Sequence, residues 1–211
     1  MKTDALIEML ARNAGPAPRG VAARRLAPAA LLGLAASAFI ALALLGRIPA
    51  EMLGTPAPWI KLAYGGALAA AAAWLTARLS RPVARLQAPR LTVLAVMATM
   101  AAVGLASALA EPPGARLDTL WGHSWSACPW AVLALSLPAL AATLWAARGL
   151  APTRLRAAGF AAGLLAGSLG ALGYALSCTE PAPLFVAVWY SAGIVLVGLL
   201  GAWLGPRVLR W

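Results

Sequence analysis

Six apolar runs, each long enough to cross a bilayer, leave this chain of 211 residues few ways to fold. They are Pro28 to Gly46, Trp59 to Ala77, Leu91 to Ala110, Pro129 to Ala147, Ala157 to Leu176 and Leu184 to about Leu204. At about 1.5 Å of rise per residue each run spans roughly 30 Å as a helix, the thickness of the hydrocarbon core. In lipid every backbone polar group must be satisfied within the span, so such runs fold as helices. A soluble bundle of alanine-rich helices is excluded by composition, because charged residues are only 11% of the chain, whereas a soluble domain carries about 25%. The expectation is an all-α integral membrane protein, a six-transmembrane-helix bundle over residues 26–211 preceded by a cytoplasmic N-terminal arm over residues 1–25. Lys61, early in the second run, is expected to snorkel to the headgroups.

Charge orients the bundle. With the N-terminus in the cytoplasm, the arm, the second and fourth loops and the tail hold 14 of the 17 basic residues. The opposite face keeps Arg47, Lys61 and Arg116 with four acids, Glu51, Glu111, Asp118 and Glu180. This positive-inside asymmetry places both termini in the cytoplasm. It also accounts for the net charge of +11, which serves topology and anchoring to anionic lipid rather than nucleic-acid binding.

Gly159, Gly163 and Gly167 repeat at helical spacing on one face of the fifth run, with Gly170 and Gly173 beyond, so this span is expected at the centre of the bundle. Trp59, Trp74, Trp130, Trp145 and Trp203 near span ends read as an interface belt. Trp121 and Trp125 lie in the connection before the fourth span and suggest a small amphipathic lid.

The chain has two cysteines and one histidine. Cys128 begins the fourth span and Cys178 follows the fifth, so a hairpin of these spans returns both to the outer, oxidising face. Three readings stand: small apolar residues at span ends, a structural disulfide, or a reversible sensor. His123 and Glu180 lie close by in sequence, and two thiolates, an imidazole and a carboxylate would form a tetrahedral set for a soft or borderline divalent ion such as zinc or cadmium.

Enzyme motifs are missing: there is no HExxH, no phosphate-binding glycine loop, no GxSxG and no paired carboxylate in a span. A membrane thiol oxidoreductase ordinarily needs a CxxC-like pair and a second relay pair, and a proton-driven transporter a buried acidic relay. The spans hold no acidic residue, which argues against the latter; the thiol oxidoreductase and a small transporter or scaffold are the rivals. In the arm, TDALIEMLAR reads as an amphipathic helix with Thr3 as cap, Asp4 in the first turn, Glu8 paired with Arg12, and Leu6, Ile7 and Leu10 as an apolar stripe. A helix this short is marginal in water and needs a surface to fold on, either the membrane or a protein groove. Asn13 to Gly20, with two prolines and two glycines, would tether it to the first span.

The start MKTDALIEML, the basic arm, the six spans, HSWSACPW at His123 to Trp130, SCTE at Ser177 to Glu180 and the pair Trp189 and Tyr190 together resemble the NrsF-type negative regulators of sigma-F. The resemblance covers essentially the whole chain. It implies a bacterial inner-membrane anti-sigma factor that holds an extracytoplasmic-function sigma factor inactive and releases it on heavy-metal or oxidative stress. By motif, Cys128 and Cys178 would perceive the signal. The sigma-contacting segment would be the arm from Asp4 to Arg12.

Overall fold

The computed structural model describes residues 3–13, 20–81, 84–150 and 152–210. The order is α1 (Thr3–Asn13), α2 (Val21–Leu45), a 3₁₀ turn (Ala50–Gly54), α3 (Pro56–Leu79), α4 (Gln87–Ala110), α5 (Arg116–Trp121), α6 (Cys128–Arg148), α7 (Leu155–Ala175), α8 (Pro183–Phe185), a π-helical turn (Val186–Tyr190) and α9 (Ser191–Val208). From α8 to α9 the chain runs as one spanning helix, and with α2, α3, α4, α6 and α7 it gives six helices long and apolar enough to cross a membrane. No strand occurs among the described residues. The expected amphipathic helix is present as α1, with Arg12 Nη2 donating to Glu8 at 2.6 Å. The side chains of Leu6 and Leu10, and residues 14–19 of the tether, lie outside the described residues.

Helices run past the apolar stretches. Gly20 stands at φ 79° as the N-cap of α2, and the arginines that follow are good helix formers. Residues 21–25, expected in the arm, are therefore the first turns of the first spanning helix.

The fifth span is central, as its glycines suggested: 72% of the apolar window of α7 is buried, against 22% for α2 and for α4. It packs on α2, α3, α6 and α9. Gly159 and Gly201 face each other so closely that a Cβ on either would strike the other's carbonyl oxygen. A Cβ on Gly163 would come 2.8 Å from the Cα of Gly198. Small side chains thus let two backbones touch, the geometry that supplies packing in lipid where the hydrophobic effect supplies none. The α9 half of this seam is Gly198, Gly201 and Gly205, which the sequence reading did not single out. Ser37 Oγ ties α2 to α6 by donating to the Leu135 carbonyl at 2.7 Å.

The two ends of the bundle differ in chemistry. Arg24, Arg25, Arg78, Arg90, Arg148, Arg154 and Arg207 stand at one end of the spanning helices, and Cys128 and Cys178 at the other. Trp59, Trp130, Trp145 and Trp203 all project outward, as the belt requires.

Candidate functional site

The thiol end is built around the stretch that leaves α7, Leu176 to Ala182. Without regular structure of its own, it is held by bonds from three other parts of the chain. Ile48 N–H donates to the Leu176 carbonyl at 3.0 Å. Lys61 Nζ, reaching in from α3, donates to the Cys178 carbonyl at 2.6 Å. Glu180 accepts from the backbone N–H groups of His123 and Ser124 at 2.8 and 2.9 Å and from Ser124 Oγ at 3.0 Å.

Lys61 corrects the expectation from sequence. Its side chain does not turn to the headgroups: only 1% of the residue is exposed. The carbonyl of Cys178 offers the ammonium a charge-assisted partner, which a buried charge requires.

Glu180 is also placed differently from the metal-ligand reading. Ser124 O accepts from the N–H groups of Ala127 and Cys128, at 3.1 and 2.8 Å, so the chain turns helical here before α6. The Glu180 carboxylate caps that turn, where unpaired N–H groups and the helix dipole favour an anion. Gly122 permits the approach: its φ is 54°, and a Cβ there would stand 2.7 Å from Glu180 Oε2. The imidazole of His123 is fully exposed, with Nδ1 4.0 Å from Glu180 Oε2. Among the described residues no three of His, Cys, Asp and Glu are grouped to hold a metal ion. The four-residue set Cys128, Cys178, His123 and Glu180 is therefore not assembled, because Glu180 is committed to backbone donors and His123 faces outward.

The two thiols remain as the candidate pair. Both are free and buried, and both belong to the same buried cluster as Tyr174 and Tyr190. The rings of those tyrosines are 5.5 Å apart. Tyr190 Oη and Ser177 Oγ are buried with no hydrogen-bond partner among the described residues. Tyr190 closes the π-helical turn, a local widening often found at functional positions.

The same end of the bundle carries Trp121, the last residue of α5, and Trp125, in the turn before α6. Trp121, Trp125 and Trp189 pack with ring centroids 4.9 to 5.8 Å apart, and Trp189 Nε1 donates to the Leu120 carbonyl at 2.8 Å. Sequence reading missed Lys61, Ser124, Gly122 and Tyr174 as parts of this site. Only the odd placement of a lysine inside an apolar run signalled any of them.

Fold and site define a class: a multi-pass α-helical membrane protein with two buried thiols at one end of the bundle, arginines at the other, and a short helix preceding the first span. Comparison with known proteins gives the family. The model for "Negative regulator of sigma F", NrsF, matches residues 10–211, and the chain belongs to that family, whose members are regulators rather than enzymes. It is 40% identical over 214 residues to the "Anti-sigma-F factor NrsF" of Caulobacter vibrioides, covering 100% of both chains. It is 39% identical over 215 residues to the "Probable anti-sigma-F factor NrsF" of Azospira oryzae, again over 100% of both. No solved structure matches the chain. It is a multi-pass protein of the bacterial inner membrane.

Proposed function

We propose that this chain is an anti-sigma factor that holds an extracytoplasmic-function sigma factor inactive at the cytoplasmic face and releases it when Cys128 and Cys178 react at the periplasmic face. The observation that carries the reading is identity of 40% over the full length of both chains with a protein described as an anti-sigma-F factor.

The cytoplasmic half of the proposal rests on α1. An 11-residue helix is too short to be stable alone in water. Ile7 and Met9 are exposed on it, beside Asp4, Glu8 and Arg12, and the apolar positions Leu6 and Leu10 share its sequence period. Such a segment gains its order on a partner's groove.

The periplasmic half rests on the buried thiols. Joining the two sulfurs in a disulfide sends two electrons and two protons to an oxidant. Capture of a soft divalent ion displaces two protons instead. Two sulfurs without a third protein ligand leave the remaining coordination positions of a zinc or cadmium ion to water or other small ligands. Either event draws on groups that Lys61 and Glu180 hold in place, and the unpartnered hydroxyls of Tyr190 and Ser177 make the resting arrangement easier to leave.

The test is co-purification of the full chain with the sigma factor from membranes. Leu6, Ile7 and Leu10 changed together to Asp should lose the sigma factor. Cys128→Ser and Cys178→Ser should keep it but fail to release it on cadmium or oxidant. Retention by the aspartate variant, or normal release by both serine variants, overturns the corresponding half.

A further inference from the structure

A groove of about 760 Å³ runs between α2 and α6 at the basic end of the bundle. Its floor is made by small residues, because Ala29 of α2 meets Ala142 and Ala146 of α6. Leu32 and Trp145 stand out from the two helices as its walls, and Arg24, Arg25 and Arg148 close its mouth. A second groove of about 430 Å³, between α6 and α9, shares Trp145 and Arg148 with the first. Trp145 is thus a fin between two apolar channels that meet at one arginine.

The three guanidinium groups converge without a counter-charge: none has a carboxylate partner among the described residues. Arg25 lies across the end of α6, so close over Gly149 that a Cβ there would overlap its Nη1. Arg25 is therefore brought beside the residue that follows Arg148, and like charges brought together call for an anion. Depth narrows the choice. Leu32 lies about 10 Å along the helix from Arg25 at about 1.5 Å per residue, so the groove passes from a cationic mouth at headgroup level into the hydrocarbon. A soluble acidic ligand would leave the apolar channels unfilled.

We propose that this site binds an anionic phospholipid, with its phosphate among Arg24, Arg25 and Arg148 and its acyl chains lying along the two faces of Trp145. Basic pockets between spanning helices on the cytoplasmic side have the chemistry to take such headgroups. The bound lipid screens the arginine cluster and seals α2 to α6 where their contact is only alanine deep.

The test uses the full chain in detergent, titrated with phosphatidylglycerol, phosphatidylcholine or inorganic phosphate while the thermal midpoint is read. Phosphatidylglycerol should raise the midpoint, and the other two should not. Replacing Arg24, Arg25 and Arg148 with Gln should weaken the apparent lipid affinity about 100-fold, at about fivefold per basic residue. Arg78→Gln with Arg90→Gln, at the same end but away from the groove, should leave it unchanged. Phosphatidylglycerol carrying brominated acyl chains should also quench Trp145 fluorescence, read as the difference between the wild-type chain and Trp145→Phe, more than brominated phosphatidylcholine does. This readout needs no arginine variant to fold. Equal quenching by both lipids, an unchanged response in the triple glutamine variant, or equal stabilisation by free phosphate overturns the proposal.

Discussion

Glu180→Ala removes the acceptor for three hydrogen bonds at once, those from the N–H groups of His123 and Ser124 and from Ser124 Oγ. Water enters from the outer face to satisfy part of the loss, so about 1 kcal/mol per bond is the fitting net value rather than the larger figure for a sealed core. The clamp is then weaker by about 3 kcal/mol, which at about 1.4 kcal/mol per tenfold is a change of about 100-fold in an equilibrium constant. The equilibrium at stake is local opening of the thiol end. Cys128 is 0% and Cys178 4% exposed, so a bulky reagent reaches either one only after the Leu176 to Ala182 stretch lifts. When reclosing is fast, the labelling rate follows the open fraction. The assay is the rate of alkylation by a membrane-impermeant maleimide on reduced spheroplasts, with separate measurements in the Cys128→Ser and Cys178→Ser backgrounds. Glu180→Ala should speed labelling by about two orders of magnitude, while Ser124→Ala, which loses one bond of the three, should speed it about fivefold. A wild-type rate equal to that of an exposed cysteine, or equal rates in the wild type and Glu180→Ala, would refute the clamp.

Other expectations test the rest of the architecture. Gly201→Val should drive a side chain into the α7 backbone and cost at least about 1 to 3 kcal/mol, read as a lower thermal midpoint in detergent, whereas Leu199→Ala on the exposed face of α9 should move it little. Trp189→Phe gives up the bond to the Leu120 carbonyl, about 1 kcal/mol, and should raise maleimide labelling of the thiols severalfold without altering sigma-factor capture. If the trigger works by opening the clamp, Glu180→Ala should raise sigma-factor activity without any signal, and cadmium should add less to it than to the wild type; full additivity in a reporter assay would separate the trigger from the clamp.

The spans were legible because hydrocarbon imposes one rule on every residue in a run, and the arginines at alternate loops obeyed another. The central place of α7 was legible for a related reason, since Gly159, Gly163 and Gly167 leave a face that only another backbone can fill. Lys61 was not legible in its role. A lysine near the start of an apolar run reads the same whether it bends outward to phosphate or inward to a carbonyl, and the deciding partner lies 117 residues away. Glu180 failed for a different reason. A carboxylate near two cysteines has the right chemistry for metal and for capping alike, and the choice fell to the backbone N–H groups that the turn at Gly122 presents to it. The π-helical turn at Val186–Tyr190 left no mark in the pattern at all, because a one-residue widening does not change which residues are apolar.

The thiol end and the basic end are joined by the same rigid elements. α6 begins at Cys128 and ends at Arg148, α3 carries Lys61 near one end and Arg78 near the other, and α7 packs against both. In the proposed mechanism a tilt of these helices at the thiol end reaches the basic end, where α2 begins. The size of any signal passed this way is bounded by what is released at its source. A ligand shifts an equilibrium only by its differential affinity for the two states, and in the proposed mechanism a typical coupling of about 1 to 3 kcal/mol, left over after the clamp is opened, limits the loss of sigma-factor affinity to about 150-fold. A cap of that size switches a complex fully only if the resting affinity lies within about two orders of magnitude of the prevailing sigma-factor concentration. A much tighter resting complex would stay bound through the signal, so in the proposed mechanism the short, marginal helix α1 is suited to its task by the modesty of its grip.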